Sequence, residues 1–448
     1  MKLHYSLFLV PCSLFIFASC SVSKKISKQA GNILLNDSAI RSGHIGISIY
    51  EPATNTYWYN HNATKYFVPA SNTKLFTLYA GMKYLGDSLV AARVELIKDK
   101  ITIHPSGDPT FLNSEFRFQP LLNYLKNAKS ISINNNAWAS DALGNGWAWN
   151  DYTESYMAER SSFPVYGNLV SFSLKNNTIE PLAEFINLLS NERYESPVKF
   201  NPETMAVQSN HFNIERAYGN NNYYIKDANA AFTKRSMPFH GDPEFVADLL
   251  KDTLKVDDLF FFTSGQTSRS LPNGSIIRSQ PSDSLFKPMM HRSDNFYAEQ
   301  TLLMASNEKL GYMNDEKIID TILRADLKDI PQRPRWVDGS GLSRYNLFTP
   351  QSFVYILNKM KNEFGWDRLK NILPTGGTGT LFSYYKNEAG FIYAKTGTLS
   401  NNCALSGFLV TKKGKLLVFS VLASNYQTGA TPVRKAVEKF LVGIREKY

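Results

Sequence analysis

A serine followed three positions later by a lysine, Ser71 and Lys74, is a pair of residues that could carry out covalent chemistry. The pair opens a segment with helical spacing of apolar residues, so the hydroxyl and the amine can share one helix face. A lysine is a usable base only when its amine is neutral, which requires burial or a nearby cation to lower its pKa. The pattern indicates nucleophilic catalysis, although alone it is weak, because the same spacing occurs six times in the chain.

Two further short motifs follow this pair along the chain. Ser293-Asp294-Asn295 would by itself be explained as a helix cap or a turn. Lys395-Thr396-Gly397-Thr398 would by itself be explained as a strand end. The ordered set is much rarer by chance than any single member. Together the three are the motifs of serine penicillin-binding proteins and class A β-lactamases.

Each residue type in these motifs has a chemical task. A second amine, at Lys395, can bind a carboxylate and help to keep the first lysine neutral. The hydroxyl of Ser293 can pass a proton to a leaving amine, and the amide of Asn295 can hold a substrate amide. Because Gly397 has no side chain, a substrate backbone can lie beside this strand. The predicted catalytic residues are Ser71, Lys74, Ser293, Asn295 and Lys395.

Metal-dependent and histidine-dependent chemistry has little support in the sequence. The seven histidines are scattered, and the chain has no HExxH pair, no CxxC pair, no GxxxxGK[ST] loop and no GxSxG turn. Zinc hydrolases, nucleotide hydrolases and ordinary α/β-hydrolases therefore lose their usual signals. The sequence predicts neither a metal ion nor an organic cofactor.

The elements that must position these residues can be read from the apolar pattern. His44–Tyr50 and Thr56–Tyr59 alternate like the two strands of a hairpin, and a helix follows from Pro69-Ala70-Ser71. At the other end, Cys403–Val410 and Leu416–Leu422 predict a second hairpin. The last segment of the chain predicts a helix that packs on the sheet, with one apolar stripe: Val433, Val437, Phe440, Leu441 and Ile444.

Composition indicates a folded and basic protein. Of the 448 residues 43% are hydrophobic and only 20% are charged, which excludes disorder for most of the chain. The formal charge of +10 comes from scattered lysines and arginines rather than from a basic run, so nucleic-acid binding is not predicted. Anionic surroundings and an ordinary solvated surface are equally adequate explanations of this charge.

The N-terminus predicts an exported protein. Residues 1–19 have a charged start, a short apolar stretch and small residues before a cut, as secretory signal peptides do. Phe17-Ala18-Ser19-Cys20 is similar to a bacterial lipobox, which predicts lipidation at Cys20, a membrane-anchored lipoprotein and a periplasmic location. A plain signal peptide cut near the same place is the alternative. Residues 20–31 are predicted to form a polar tether.

The chain resembles the low-molecular-mass class C penicillin-binding proteins, the D-alanyl-D-alanine carboxypeptidase/endopeptidase family. Ser71 and Ser293 lie 222 residues apart, a gap that is similar to this family's large insertion and longer than a class A β-lactamase needs. The blocks similar to the family are Phe67–Thr77, Ser106–Thr110, Ser293–Glu299, Asp338–Arg344, Gly379–Leu381 and Ala394–Leu399.

This resemblance implies an α/β (α+β) fold: a serine transpeptidase/β-lactamase-like domain whose antiparallel sheet is flanked by helices. Residues 32–95 and 280–448 would form this catalytic domain, and residues 96–279 would be an inserted region that is mostly β. It also implies that Ser71 attacks the carbonyl between two D-alanines with Lys74 as the base. Backbone N–H groups of Ser71 and Thr398 would form the oxyanion hole.

The resemblance implies substrate contacts as well. Lys395 and the hydroxyls of Thr396 and Thr398 would bind the terminal carboxylate, with Gly397 between them. β-Lactams would acylate the same serine, because their strained amide imitates the D-Ala-D-Ala bond. As a hypothesis, Asp151 and Arg344 hold the ammonium and carboxylate of a diaminopimelate side chain, with Tyr156 nearby. Ordinary surface roles are an equally good explanation of these last residues.

Two other functions remain open from the sequence. A β-lactamase-like acyl-serine hydrolase could use the same three motifs, although it would need a dedicated base for fast deacylation. A catalytically silent β-lactam sensor or wall-binding lipoprotein would need no nucleophile, so the intact motifs argue against it. The sequence does not separate a carboxypeptidase from an endopeptidase, since both cut after a D-alanine.

Overall fold

The computed structural model describes residues 22–175, 178–181, 213–226, 234–264 and 271–448. The predicted signal peptide, residues 1–19, and the predicted lipidation site at Cys20 lie outside the described residues. None of the helices in the described part of the chain combines the length and apolar character needed to cross a bilayer.

A five-stranded antiparallel sheet joins the two ends of the chain, with strand order β13-β14-β15-β1-β2. Its strands are β1 (His44–Glu51), β2 (Thr56–His61), β13 (Ile392–Leu399), β14 (Asn402–Val410) and β15 (Leu416–Ser424). β1 pairs with β15, for example Ile47 with Val421, which closes the predicted N-terminal hairpin on the predicted C-terminal one. The third predicted catalytic motif therefore lies on β13, an edge strand.

Helices cover both faces of this sheet. One face packs on a cluster of helices: α2 (Lys74–Tyr84), α5 (Ser282–His291), α6 (Asn295–Leu310), α7 (Asp315–Arg324), α8 (Pro350–Phe364) and α9 (Trp366–Ile372). The other face packs on the C-terminal helix α10 (Ala430–Lys447), whose predicted apolar stripe is buried. The predicted α/β architecture, an antiparallel sheet flanked by helices, is confirmed.

The predicted tether is helical instead. Residues 22–30 form a helix, α1, that continues as a π-helical segment over Gly31–Leu35. Ile26, Ala30 and Leu34 are fully buried against the same face of the sheet as α10. These residues recur every four positions, so together they form one apolar stripe of a helix. The polar residues between them made the segment look unstructured in the sequence.

The middle of the chain builds a second sheet with its own core. Its strands, in the order β11-β5-β4-β3-β12, are β3 (Ser88–Ile97), β4 (Lys100–Pro105), β5 (Ser130–Asn134), β11 (Asp258–Phe262) and β12 (Ser275–Pro281). β5 pairs in parallel with both β4 and β11. Because β3 and β12 pair along their length, the chain enters this region near residue 88 and leaves it near 281.

Smaller elements complete the middle region. Two helices, α3 (Pro120–Leu125) and α4 (Pro243–Leu254), accompany its strands. A three-stranded sheet has the order β10-β6-β7, from β6 (Leu169–Lys175), β7 (Thr178–Pro181) and β10 (Lys234–Pro238). A two-stranded sheet pairs β8 (Asn213–Arg216) with β9 (Tyr223–Lys226). The region is mostly β within its described residues, as predicted.

Candidate active site

The predicted nucleophile lies on a tight turn that feeds into α2. Ala70–Thr73 form a single 3₁₀ turn, and Ala70 adopts the left-handed region with φ of 48°. The hydroxyl of Thr73 donates to the carbonyl of Ala70 at 2.9 Å, which holds the turn closed. This turn places Ser71 just before the first residue of α2, Lys74.

The amine of Lys74 lies at the centre of the site. Its Nζ donates to Ser71 Oγ at 3.1 Å, to Asn295 Oδ1 at 2.6 Å and to the carbonyl of Ser340 at 2.7 Å. The side chain is fully buried. The predicted pair of hydroxyl and amine is therefore in hydrogen-bond contact, and Asn295 from the second motif touches the same amine.

Burial gives Lys74 a proton affinity suited to base catalysis. Loss of solvation lowers the pKa of Lys74 from its ordinary value to about 8, against the opposing negative charges of Asp338, Asp294 and Glu299. Of the two causes that the sequence analysis allowed, burial and a nearby cation, burial makes the largest contribution to the lowered pKa of Lys74. A pKa near the working pH is what an efficient general base requires.

The second motif begins α6. The Asp294 carboxylate accepts from the backbone N–H of Tyr297 at 3.0 Å, which caps the helix. Ser293, just before this cap, has φ of 62°, an uncommon conformation for a serine. Asn295 uses both ends of its amide, because its Nδ2 also donates to the carbonyl of Tyr156 at 2.9 Å. The motif is thus a helix cap, as the alternative explanation in the sequence analysis proposed, and it also contacts Lys74 through Asn295.

The third motif adds a second buried amine, that of Lys395, next to the second motif. Nζ of Lys395 donates to Ser293 Oγ at 2.9 Å and to the carbonyl of Thr396 at 2.5 Å. Burial lowers the pKa of Lys395 well below its ordinary value, and repulsion by Lys74 and Arg434 lowers it further. Its state of charge therefore depends on what else occupies the cleft.

Gly397 allows β13 to approach the nucleophile turn. A Cβ at this position would lie 2.6 Å from the carbonyl oxygen of Pro69 and 3.0 Å from the backbone N of Ser71. The sequence analysis explained the glycine by access for a substrate backbone. The structure adds a second reason, because the turn that carries Ser71 leaves no room for a side chain at position 397. This contact brings the strand that carries the Thr398 N–H close to the N–H of Ser71, the two predicted oxyanion donors.

The remaining predicted binding residues lie in two groups. Burial and the neighbouring carboxylate of Asp151, to which the Tyr156 hydroxyl is hydrogen-bonded, raise the pKa of Tyr156 to about 12. This group touches the second motif through the Tyr156 carbonyl. Arg344 is exposed and donates to the carbonyl of Ser400 at 3.4 Å, at the end of β13. Its guanidinium therefore borders the third motif.

A buried polar network that the sequence did not predict fixes the carbonyl partner of Lys74. Glu299 accepts from the backbone N–H of Ser340 at 2.7 Å, and its other oxygen lies 3.4 Å from Arg160. Burial first, and then repulsion by Asp338, raises the pKa of Glu299 to about 7. Arg160 is 2.6 Å from Asp315 as well, so it screens two carboxylates. Arg160 belongs to the predicted inserted region, which thus reaches the polar network around Lys74.

Asp338 organises the loop that carries this carbonyl. Its two oxygens accept from the backbone N–H groups of Gly341 at 2.8 Å and Ser343 at 2.7 Å, and from Trp147 Nε1 at 2.9 Å. The similarity of Asp338–Arg344 to a family block was the signal that this loop matters. A backbone carbonyl has no residue type of its own, so the sequence could not assign this contact.

Ser71 is hydrogen-bonded to Lys74, and Ser293 is hydrogen-bonded to Lys395, which is the arrangement expected of an acyl-serine hydrolase site. Residues 27–448 match the family model described as the D-Ala-D-Ala carboxypeptidase 3 (S13) family. The chain belongs to this family, and the predicted enzyme class, a serine-type D-Ala-D-Ala carboxypeptidase, is confirmed.

Similar proteins span nearly the same length. The chain is 23% identical over 413 residues to D-alanyl-D-alanine carboxypeptidase DacB of Haemophilus influenzae, covering 83% of each chain. It is 23% identical over 444 residues to a D-alanyl-D-alanine carboxypeptidase of Actinomadura sp., covering 89% of this chain and 81% of the relative. The crystal structure of penicillin-binding protein 4 (dacB) from Haemophilus influenzae superposes with a TM-score of 0.71 at 18% identity. It covers 94% of this chain and 99% of that one, which establishes the shared fold.

Proposed function

We propose that the protein cleaves the D-Ala-D-Ala bond of peptidoglycan stem peptides through an acyl-enzyme on Ser71, as a carboxypeptidase, a DD-endopeptidase or both. The observation that carries this proposal is the position of the Lys74 amine, 3.1 Å from Ser71 Oγ and 2.6 Å from Asn295 Oδ1. A neutral amine there has the hydroxyl proton within reach.

Acylation follows from this arrangement. Lys74 removes the proton of Ser71 as Oγ attacks the carbonyl carbon of the penultimate D-alanine. The N–H groups of Ser71 and Thr398 stabilise the oxyanion, a contribution of about 3 to 4 kcal/mol for one such donor. Ser293 passes a proton to the leaving amine, and Asn295 holds the substrate amide. Water then attacks the ester, releases the shortened peptide and restores the free hydroxyl.

The terminal carboxylate binds on the third motif. Lys395, Thr396 and Thr398 offer N–H and O–H donors along β13, beside the nucleophile turn. A carboxylate arriving beside Lys395 favours the charged form of its amine, and this offsets the effect of burial. β-Lactams carry a carboxylate at the corresponding place and an amide at the scissile place, so they acylate Ser71. A penicillin-binding protein 4 structure from Haemophilus influenzae contains a bound β-lactam, which supports this part of the proposal.

We infer a separate subsite for a diaminopimelate side chain, formed by Asp151, Tyr156 and Arg344. In support, the loop before Asp151 packs on the segment that carries Arg344: a Cβ on Gly146 would lie 2.6 Å from the Tyr345 side chain. Asp151→Asn and Arg344→Ala should cleave a simple acyl-D-Ala-D-Ala tripeptide normally and lose the preference for diaminopimelate peptides. An unchanged preference would remove this subsite from the proposal.

The rival β-lactamase activity requires a base that activates water for deacylation. Glu299, a buried carboxylate near Lys74, is held by the Ser340 N–H and by Arg160. We therefore expect a long-lived penicilloyl-enzyme, measured by intact mass over time after excess penicillin is removed. Rapid return of the free enzyme would favour the rival. A silent sensor is disfavoured because Ser71 and Lys74 are in hydrogen-bond contact.

We also propose that the protein is exported to the periplasm, with cleavage before Cys20 and a lipid on that residue. The support is the sequence of residues 1–20. Expression with radiolabelled palmitate in a bacterial host should label the wild type and leave Cys20→Ala unlabelled, with Cys403→Ala as a labelled control. Equal labelling of the wild type and Cys20→Ala would exclude this anchor.

The activity is tested with defined muropeptides. Purified protein is incubated separately with pentapeptide monomers and with cross-linked dimers, and the products are identified by mass. Release of free D-alanine shows carboxypeptidase activity, and conversion of dimers to monomers shows endopeptidase activity. Ser71→Ala is the control and should yield neither product. Intact substrates after incubation with a wild type that binds penicillin would contradict the proposal.

A further inference from the structure

A charged side chain outside the three motifs, Arg434, lies against the face of β13 that points away from Lys74. Side chains alternate along a strand, so Thr396 and Thr398 project on the side opposite to Lys395. On that side, Arg434 of α10 donates from Nη2 to the hydroxyl of Thr398. The C-terminal helix thus contributes a guanidinium to the strand on which the substrate carboxylate is expected.

Three neighbours hold the guanidinium of Arg434 in place. Besides the Thr398 hydroxyl, it is hydrogen-bonded to the thiol of Cys403, the residue directly opposite Thr398 on β14. The ring of Tyr384 lies 5.9 Å from its centre, within the range of a cation–π contact. Arg434 itself is only partly buried. An oriented guanidinium with five N–H donors and access to solvent can still bind an anion.

The direction of the hydrogen bond to Thr398 matters for recognition. A guanidinium can only donate, so the Thr398 oxygen is the acceptor and its own proton is free to point elsewhere. A carboxylate, which can only accept, suits that proton. Arg434 therefore leaves the proton of Thr398 free to be donated to an acceptor beside the edge strand β13, and it strengthens this donor by polarising the oxygen.

We propose that Arg434 is a specificity-determining residue that supplies the permanent positive charge for the substrate's terminal carboxylate, acting with Thr396 and Thr398. This inference rests on the proposed function, in which that carboxylate binds beside β13. Burial and repulsion by Lys74 and Arg434 lower the pKa of Lys395 and so disfavour its positive charge in the free enzyme. An arginine stays protonated under all these conditions.

The test compares substrates with and without the carboxylate. The wild type, Arg434→Gln and Arg434→Lys are assayed on an acyl-D-Ala-D-Ala tripeptide and on its C-terminal amide. Arg434→Gln should lower kcat/KM for the acid by about 10- to 100-fold, as expected for loss of a charged hydrogen bond. Most of the change should be in KM, and the rate on the amide should stay within about twofold. Arg434→Lys should recover part of the loss.

A matched control and a second probe keep the outcome clear. Lys435→Gln removes a neighbouring charge that is exposed on α10, so it should leave both substrates unaffected. Acylation by benzylpenicillin and by its methyl ester should show the same contrast without turnover, and thermal unfolding checks each variant. Equal losses on acid and amide, or an unchanged ratio, would overturn the role of Arg434. A wild type inert toward both tripeptide and penicillin would instead refute the proposed function itself.

Discussion

Two buried lysines lie on two walls of the site: Lys74 on the wall formed by α2 and its neighbouring carboxylates, which we call the acidic wall, and Lys395 on the wall formed by β13. Their electrostatic surroundings are opposite. Lys74 is surrounded by the negative charges of Asp338, Asp294 and Glu299, which oppose the effect of burial and leave its pKa at about 8. Lys395 has Lys74 and Arg434 as its charged neighbours, so repulsion adds to burial. Under the proposed mechanism, the same residue type with the same burial therefore acts as a base on one wall and as a carboxylate receptor on the other.

The largest expected effect comes from removing the amine of Lys74. Lys74→Gln should slow acylation by benzylpenicillin by about 10²- to 10⁴-fold, because it removes the amine that is hydrogen-bonded to Ser71 Oγ. The rate is measured by intact mass under conditions of excess penicillin. Lys83→Gln, on the same helix but paired with Glu363 at 38% exposure, is the matched control. A variant that acylates at the wild-type rate would end the assignment of Lys74 as the base.

The contact between the two walls is tested at Gly397. A methyl group there would meet the Pro69 carbonyl at 2.6 Å, so Gly397→Ala should push β13 away from the Ser71 turn. We expect a loss of about 10²- to 10³-fold in acylation, the size of one oxyanion donor. Gly429→Ala is the control, because a Cβ at Gly429 would meet no atom within 4 Å. Normal acylation by Gly397→Ala would show that the walls need no such contact.

The sequence could single out the predicted catalytic side chains because each has a residue type that its chemistry demands. Ser71, Lys74, Ser293, Asn295 and Lys395 are brought together as expected. The flanking strands were predicted because half-buried strands alternate apolar and polar residues. The charges that set the two lysine pKa values were not predicted, since they depend on residues far apart in the chain.

What the sequence missed has physical reasons that differ from place to place. The carbonyl of Ser340 is a backbone atom, and any residue type could provide it. Arg434 lies 36 residues after Thr398 on a helix, where its charge looked like part of a solvated surface. The helix of residues 22–30 was missed because polar residues separate Ile26 from Ala30, which are both fully buried.

The pH dependence of acylation sharpens the contrast between the two lysines. Because the Lys74 pKa is about 8, the amine loses its proton and becomes a base as the pH rises through that value. The acylation rate should therefore rise by about tenfold per pH unit below 8 and level off above it. A rate constant that is flat from pH 6 to 9 would mean that the reacting lysine is already neutral, contrary to its acidic surroundings.

The smallest expected effect concerns one carboxylate of the acidic wall. The charge of Glu299 raises the Lys74 pKa, so Glu299→Gln should shift the rising limb of the acylation profile to lower pH by no more than about one unit. The glutamine oxygen can still accept from the Ser340 N–H, which preserves the loop. Glu363→Gln, outside the cleft, should leave the profile in place. A shift to higher pH would show that Glu299 acts in some other way.

The central claim, that three distant motifs converge to make Ser71 the nucleophile, is tested most directly by locating the penicillin adduct. The wild type is incubated with benzylpenicillin, its intact mass is measured, and the modified peptide is sequenced by mass spectrometry. The account predicts one penicilloyl group, attached to Ser71 and absent from Ser71→Ala. An adduct on a different residue, equal labelling of Ser71→Ala, or a folded wild type that stays unmodified would contradict it.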